Sequence, residues 1–161
     1  VARREEEFIY YGSPEFGLEG LLTAKGRHEI TVGDWSAVEQ ALNDVLAAVN
    51  RLDASGFHGP YGLALSPQLY NTLFRRYEGT DMLQLEHLKR LCELGVYKAG
   101  IEGAVLLDGH AGRIVIGQDM MTGYSGNDGI HHQLFVSESL VLMVDDAEAI
   151  CVLSGAPRKP R

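Results

Sequence analysis

Ala104-Val105-Leu106-Leu107-Asp108-Gly109-His110-Ala111-Gly112-Arg113-Ile114-Val115-Ile116 is the pivot of this 161-residue chain. Two short apolar runs, rich in branched side chains, flank a segment whose Asp-Gly pair and second glycine are turn chemistry. That pattern predicts strands over 104–107 and 113–116, joined as a hairpin through 108–112. Ahead of the pivot, apolar residues recur mainly at helical spacing. Behind it they come in short strand-like runs.

Upstream, Val38, Leu42, Val45, Val49 and Leu52 follow 4-3-4-3 spacing, which is one face of an amphipathic helix. Ser36-Ala37-Val38-Glu39 reads as its capping box. Tyr61 to Leu65 is a short apolar run and predicts a buried strand. Ser66-Pro67 predicts a helix start, with Ser as N-cap and Pro at the first helical position. Leu69, Tyr70, Leu73, Phe74 and Tyr77 form its apolar side. Glu78-Gly79-Thr80-Asp81 interrupts it. A further helix is predicted from about Met82 to Leu94, with Leu85, Leu88, Leu91 and Cys92 inward and Glu86 paired to Arg90. Gly95 is its left-handed stop. At the start of the chain, Ala2 to Tyr11 reads as a helix end, with Phe8, Ile9 and Tyr11 toward a core. Gly12-Ser13-Pro14 stops it.

Downstream, strands are predicted at 96–98, 120–124, 133–137, 140–144 and 149–153. A polar loop covers 125–130, and the basic end of the chain is expected to be mobile. Helices grouped ahead of clustered strands predict an α+β fold.

Composition bounds the function. There are 14 Lys+Arg against 22 Asp+Glu, a net charge of −8, with 45% hydrophobic and 22% charged residues. This is the composition of one globular domain or two small ones, not of a disordered chain. The acidic balance argues against wrapping nucleic acid, which needs a basic face. The apolar runs, Leu140 to Val144 among the longest, are far short of the roughly 20 residues of a membrane span. Cys92 and Cys151 match no metal spacing, and two thiols outside any framework point to a reducing compartment, the cytoplasm. The opening Val1-Ala2-Arg3-Arg4-Glu5-Glu6-Glu7 has no initiator Met and no signal-peptide pattern, so a cut chain is expected.

No catalytic constellation assembles from these residues. Gly123-Tyr124-Ser125-Gly126 lacks the residue between Ser and Gly, and the following helix, that a nucleophile elbow requires. His131-His132 beside Asp128 makes a poor metal site, because neighbours on a strand point to opposite faces. One His inside and one outside is expected. Glu86-His87 lacks the second His of a zinc-protease helix. Cys92 sits among leucines and reads as inert packing. Ser125, Asp128 and His132 are the one clustered trio an enzyme would draw on. No catalytic residue, metal or cofactor is assigned.

Four stretches in order resemble the shell proteins of encapsulin nanocompartments, the linocin-like bacteriocin family. They are Glu6-Glu7-Phe8-Ile9-Tyr10-Tyr11-Gly12 leading to Gly17-Leu18-Glu19-Gly20-Leu21-Leu22; Gly56-Phe57-His58-Gly59-Pro60-Tyr61-Gly62-Leu63; Ile114-Val115-Ile116-Gly117-Gln118-Asp119-Met120-Met121-Thr122-Gly123-Tyr124; and Leu134-Phe135-Val136-Ser137-Glu138-Ser139, followed by Ala147-Glu148-Ala149. The resemblance covers almost the whole chain up to Leu153. It implies the Hong Kong 97 phage-like capsid fold, with an axial domain and part of the peripheral domain, lacking the family's N-terminal arm and extended loop. Residues 1–25 would be the end of the spine helix in the peripheral domain, 26–112 the axial domain, 113–144 peripheral-domain strands and 145–154 the final axial strand. Residues 155–161 would be a mobile tail.

The function so implied is a structural, self-assembling shell subunit that encloses a cargo enzyme, a peroxidase or a ferritin-like iron protein. Its partners would be copies of itself in an icosahedral shell and a cargo protein carrying a short targeting peptide, with neither nucleic acid nor membrane. It would act in the cytoplasm. The alternatives are a tailed-phage major capsid protein and a bacteriocin- or protease-like enzyme. By resemblance, Glu78, Gly79, Thr80, Asp81 and Met82 would line the five-fold pore at the tip of the axial domain. Asp119, Met120 and Met121 would belong to the cargo-binding groove, where Met offers an adaptable apolar surface.

Overall fold

In a computed structural model that describes residues 2–155, the two runs of the pivot part company. The expected hairpin through 108–112 does not form. The elements are α1 (Ala2–Tyr11), β1 (Gly12–Ser13), β2 (Leu18–Glu19), β3 (His28–Val32), α2 (Gln40–Ala54), β4 (Tyr61–Leu65), α3 (Pro67–Thr72), α4 (Gln84–Leu91), β5 (Gly95–Lys98), β6 (Ala104–Asp108), β7 (Gly112–Asp128), β8 (His131–Val144) and β9 (Ile150–Gly155). Strand β6 is central in a five-stranded sheet of order β3-β9-β6-β4-β5, while β7 pairs only with β8. The physical reason is burial. Ala104, Val105 and Leu106 are fully buried, and antiparallel ladders to β4 and β9 use both edges of β6. No edge is left for β7. The turn chemistry is present all the same: the Asp108 carboxylate accepts the His110 N–H at 2.9 Å. It serves as a joint between two sheets.

Side chains of the five-stranded sheet alternate between two cores, as the period of a strand requires. Leu63, Leu65, Ala104, Leu106, Cys151 and Leu153 face α2 and α4. Ala64, Val105, Ile150 and Val152 face the other way, onto Leu21, Ala24, Ile101 and Ala149, with Ile9 and Tyr10 of α1 partly buried beside them. Tyr10, not the half-exposed Tyr11, therefore carries the inward face of α1. Helix α1 is tied down by backbone bonds from Leu21 N to Ile9 O at 3.0 Å and Leu22 N to Tyr10 O at 2.8 Å. The Glu6 carboxylate accepts the Gly100 N–H at 2.8 Å.

The Ser36–Glu39 capping box is replaced by a different device. Helix α2 starts at Gln40, and Glu39 takes a left-handed φ of 74° with no side-chain cap. The buried Asp44 gathers this loop, accepting from Gly33 N at 2.9 Å, Trp35 Nε1 at 2.8 Å and Gln40 Nε2 at 2.8 Å. Val38 is left exposed, and the inward face runs through Ala41, Val45, Ala48, Val49 and Leu52. The Ser66 cap does form, with its hydroxyl accepting the Leu69 N–H at 3.3 Å, but α3 ends at Thr72. The chain then bends into a bridge between Arg76 and Leu83, which leaves Phe74 exposed. Helix α4 is shorter than the predicted 82–94. Glu86 accepts the Leu83 N–H at 3.3 Å, so it caps the helix instead of pairing with Arg90.

Strands β7 and β8 form one long antiparallel ribbon. The polar segment expected as a loop over 125–130 continues the strands, and only Gly129, with φ 58°, and Ile130 turn the chain. Ile114, Ile116, Thr122 and Tyr124 pair with Leu142, Leu140, Val136 and Leu134 on one face. Arg113, Val115, Met121 and Gly123 pair with Met143, Val141, Ser137 and Phe135 on the other. Helix α1 lies against the first face. Residues 155–161 were expected to be a mobile tail, and 156–161 lie outside the described residues.

Candidate functional site

Two surfaces carry the candidate residues. The first is the loop Glu78–Met82. Its stem is closed by backbone bonds from Tyr77 N to Met82 O at 3.2 Å and Gln84 N to Arg75 O at 3.0 Å. The Tyr77 hydroxyl and His87 Nδ1 lie 3.2 Å apart, and their rings meet edge to face at 5.8 Å. Inside the loop, Gly79 supplies a φ of 72° that a side chain would resist, and Thr80 N donates to Tyr77 O at 3.2 Å. Glu78, Gly79, Thr80 and Asp81 are all exposed. Arg76 Nη1 is 3.1 Å from Asp81 Oδ1, so the loop's two acids differ in kind. Asp81 is offset by a cation, and among the described residues Glu78 has no such partner. Sequence reasoning missed Arg76, Tyr77 and His87 as the residues that shape this loop. Their i,i+5 and i,i+10 spacings match no helix or strand period.

The second surface is the ribbon around Asp119, Met120 and Met121. The ladder runs from Gln118↔Ser139 to Met121↔Ser137, so one extra residue is accommodated on β7. This bulge sets Asp119 and Met120 opposite Glu138 and turns them outward. Met120 and Met121 are about half exposed and fill no core. A groove of about 360 Å³ lies between α1 and β8, lined by Arg4, Glu5, Phe8, Val136, Glu138 and Leu140. Met121 belongs to the opposite face of the ribbon, so the three candidates do not converge on one groove. The Glu138 carboxyl is raised above its ordinary value by the neighbouring Glu5 carboxyl, then by burial, then by the charges of Glu5 and Asp119. Glu5, Phe8, Val136 and Glu138 were missed because only packing brings α1 onto β8.

The other constellations do not assemble. Ser125, Asp128 and His132 are exposed, and no hydrogen bond joins them among the described residues. Both His131 and His132 are exposed, against the expectation of one inside, because nothing in the described chain packs over that end of the ribbon. The His132 ring rests 5.9 Å from Tyr124. Among the described residues no three His, Cys, Asp or Glu side chains are grouped as for a metal ion. Burial pushes the Cys92 thiol up to about 12 and the Cys151 thiol to about 11, which makes both poor nucleophiles.

Comparison with known proteins bears on what these surfaces are for. Residues 1–141 match the family described as encapsulating protein for peroxidase. The type 1 encapsulin shell protein of Myxococcus xanthus is 36% identical over 160 residues, 96% of this chain and 56% of that protein. A diheme-cytochrome–encapsulin shell fusion protein of Kuenenia stuttgartiensis is 35% identical, across 95% of this chain and 44% of its own length. The chain thus spans about half the length of these curated relatives. The crystal structure of a virus-like particle from Pyrococcus furiosus superposes with a TM-score of 0.78 at 25% identity, over 94% of this chain and 63% of that one.

Proposed function

Because the chain belongs to the family of encapsulating proteins for peroxidase, the encapsulin shell proteins with a Hong Kong 97-type capsid fold, we propose that it acts as part of a self-assembling shell subunit enclosing a cargo enzyme. The observation that carries this is the ribbon. Ile114, Ile116, Met121, Tyr124, Leu134 and Phe135 are all exposed on a two-stranded element with α1 against one face alone. Apolar residues at that density mark surfaces buried against other polypeptide. Repeated symmetric contacts then add up to a closed particle. The chemistry is interface formation in a cytoplasmic compartment, with no bond made or broken.

Within that reading α1 is the end of the spine helix. The five-stranded sheet with α2, α3 and α4 is the axial domain, and the ribbon belongs to the peripheral domain. The loop Glu78–Met82 lines the pore at the five-fold vertex, which its exposure and its closed stem between Tyr77 and Met82 support. The outward bulge at Asp119 and Met120, with Met121 on the ribbon's other face, contributes to cargo capture through a short targeting peptide. The Kuenenia fusion, which joins a diheme cytochrome to a shell in one chain, is in keeping with cargo held by such a subunit.

The test is a chimera in which residues 1–155 replace the matching stretch of the Myxococcus shell protein. Particle mass and electron microscopy are the readouts. Closed particles are expected. A soluble, folded chimera that stays small would overturn the shell reading.

A further inference from the structure

Apart from its packing at the root, the ribbon hangs from the sheet by a short joint. The chain leaves β6 through Gly109–Ala111 and returns through Asp145 and Asp146, whose N–H groups both donate to Ala111 O, at 2.9 and 3.2 Å. The polar centre of the joint is Asp108. Its side chain is only 1% exposed, yet it holds three donors. Oδ2 accepts the Gly59 N–H at 2.7 Å, from the loop that leads into β4. Oδ1 accepts the His110 N–H at 2.9 Å and lies 2.7 Å from His110 Nδ1. The His110 side chain is 76% exposed, so this buried carboxylate has a partner standing in water. Beside the joint is a cavity of about 420 Å³, bordered by Ile9, Leu107, Ala111, Ile114 and Leu142. The root of the ribbon therefore has room to swing where it is not held.

We propose that Asp108, bridging Gly59 to His110, is a latch that sets the bearing of the β7–β8 ribbon on the five-stranded sheet. With the carboxylate ionised, one oxygen holds the joint to the Gly59 loop and the other holds the first turn of the connection. Protonation weakens both contacts at once, and the neighbouring cavity admits the displaced root. Burial alone raises the Asp108 carboxyl, but the bonds from His110 and Gly59 outweigh it and hold it below its ordinary value. A depressed carboxyl stabilises the closed joint above the ordinary carboxylate range and loses that contribution as pH falls through its own titration. The other charged and titratable groups around the joint include the Tyr61 hydroxyl on β4, with Asp53 and His58 behind it, the Arg113–Asp145 pair at 2.9 Å across the ribbon root, the Asp146 carboxylate, which accepts the Glu148 N–H, and Tyr10 and Tyr97 beside the cavity. The latch acts within one chain, so its test needs no shell.

Spin labels on Asn50→Cys in α2 and Ser125→Cys near the ribbon tip report the bearing as a distance distribution. Cys92 and Cys151 are buried and stay unlabelled. At neutral pH the wild-type distribution is expected to be narrow, broadening as pH falls below the carboxylate range. Asp108→Asn should be broad at neutral pH and insensitive to acid. His110→Gln, which keeps the backbone donor and a side-chain donor, should restore most of the narrow peak, and His110→Ala should not. Circular dichroism and melting follow the sheet in parallel. If Asp108→Asn fails to fold, the two His110 variants decide, because that side chain stands in solvent. A narrow, acid-insensitive distribution in every folded variant would overturn the latch.

Discussion

Asp44 shows how one residue can replace a local motif. Its carboxylate collects Gly33 N, the Trp35 indole and Gln40 Nε2, and so dictates where α2 begins. The cost is a non-glycine residue, Glu39, at positive φ. Trp35 is 3% exposed, so its N–H would have little access to water if the acceptor were removed. Asp44→Ala should destabilise the chain by about 2 kcal/mol, the scale of one buried donor left unpaired plus lost loop contacts. Thermal melting measures the loss. Trp35 is the single tryptophan, so a red shift of its emission would locate the loss in this loop.

At the scale of elements, the ribbon differs from the block formed by the helices and the five-stranded sheet. Helices α2 and α4 and the five-stranded sheet bury one another, whereas β7 and β8 pair with each other and leave apolar residues outside on both faces. The bulge opposite Glu138 turns Met120 outward. If the bulge helps hold a targeting peptide, a carboxylate placed there must be desolvated against apolar partner atoms, costing more than about 1.4 kcal/mol. In chimeric particles, Met120→Asp should lower co-purified cargo by at least about tenfold while particle yield is unchanged. Full cargo loading would remove this bulge from the binding surface.

On the scale of the whole molecule, the net charge of −8 is less informative than where single charges fall. A loop repeated around a symmetry axis multiplies its own charge. Arg76 offsets Asp81, so Glu78 should dominate the field of a pore built from this loop. In chimeric particles, Glu78→Lys should slow entry of small cations by roughly tenfold at low salt, and added salt should erase the difference. Stopped-flow uptake of a metal ion reads this directly. Equal effects from Glu78→Lys and Asp81→Lys would mean that the Arg76 pair does not persist in the assembled pore.

Much of the fold was legible in the residues alone. Periodicity found α2, the Ser66-Pro67 start of α3, the buried face of α4 and the strand Tyr61–Leu65, because those signals depend on neighbours within a few positions. The mixed character of the chain and its family were legible too. Partnership was not. Asp108-Gly109 announced a turn, but only the competition of β4 and β9 for both edges of β6 decided that the turn joins two sheets instead of two paired strands. Glu86 was expected to pair with Arg90, and instead it caps its own helix through the Leu83 N–H, a local alternative that the i,i+4 reading passed over. The loop Glu78–Met82 was found as a break between helices, but its stem to His87 and its offset by Arg76 were not. Local chemistry states what each segment can form. Which partner it takes depends on contacts between residues far apart in sequence, and those exist only once the chain has folded.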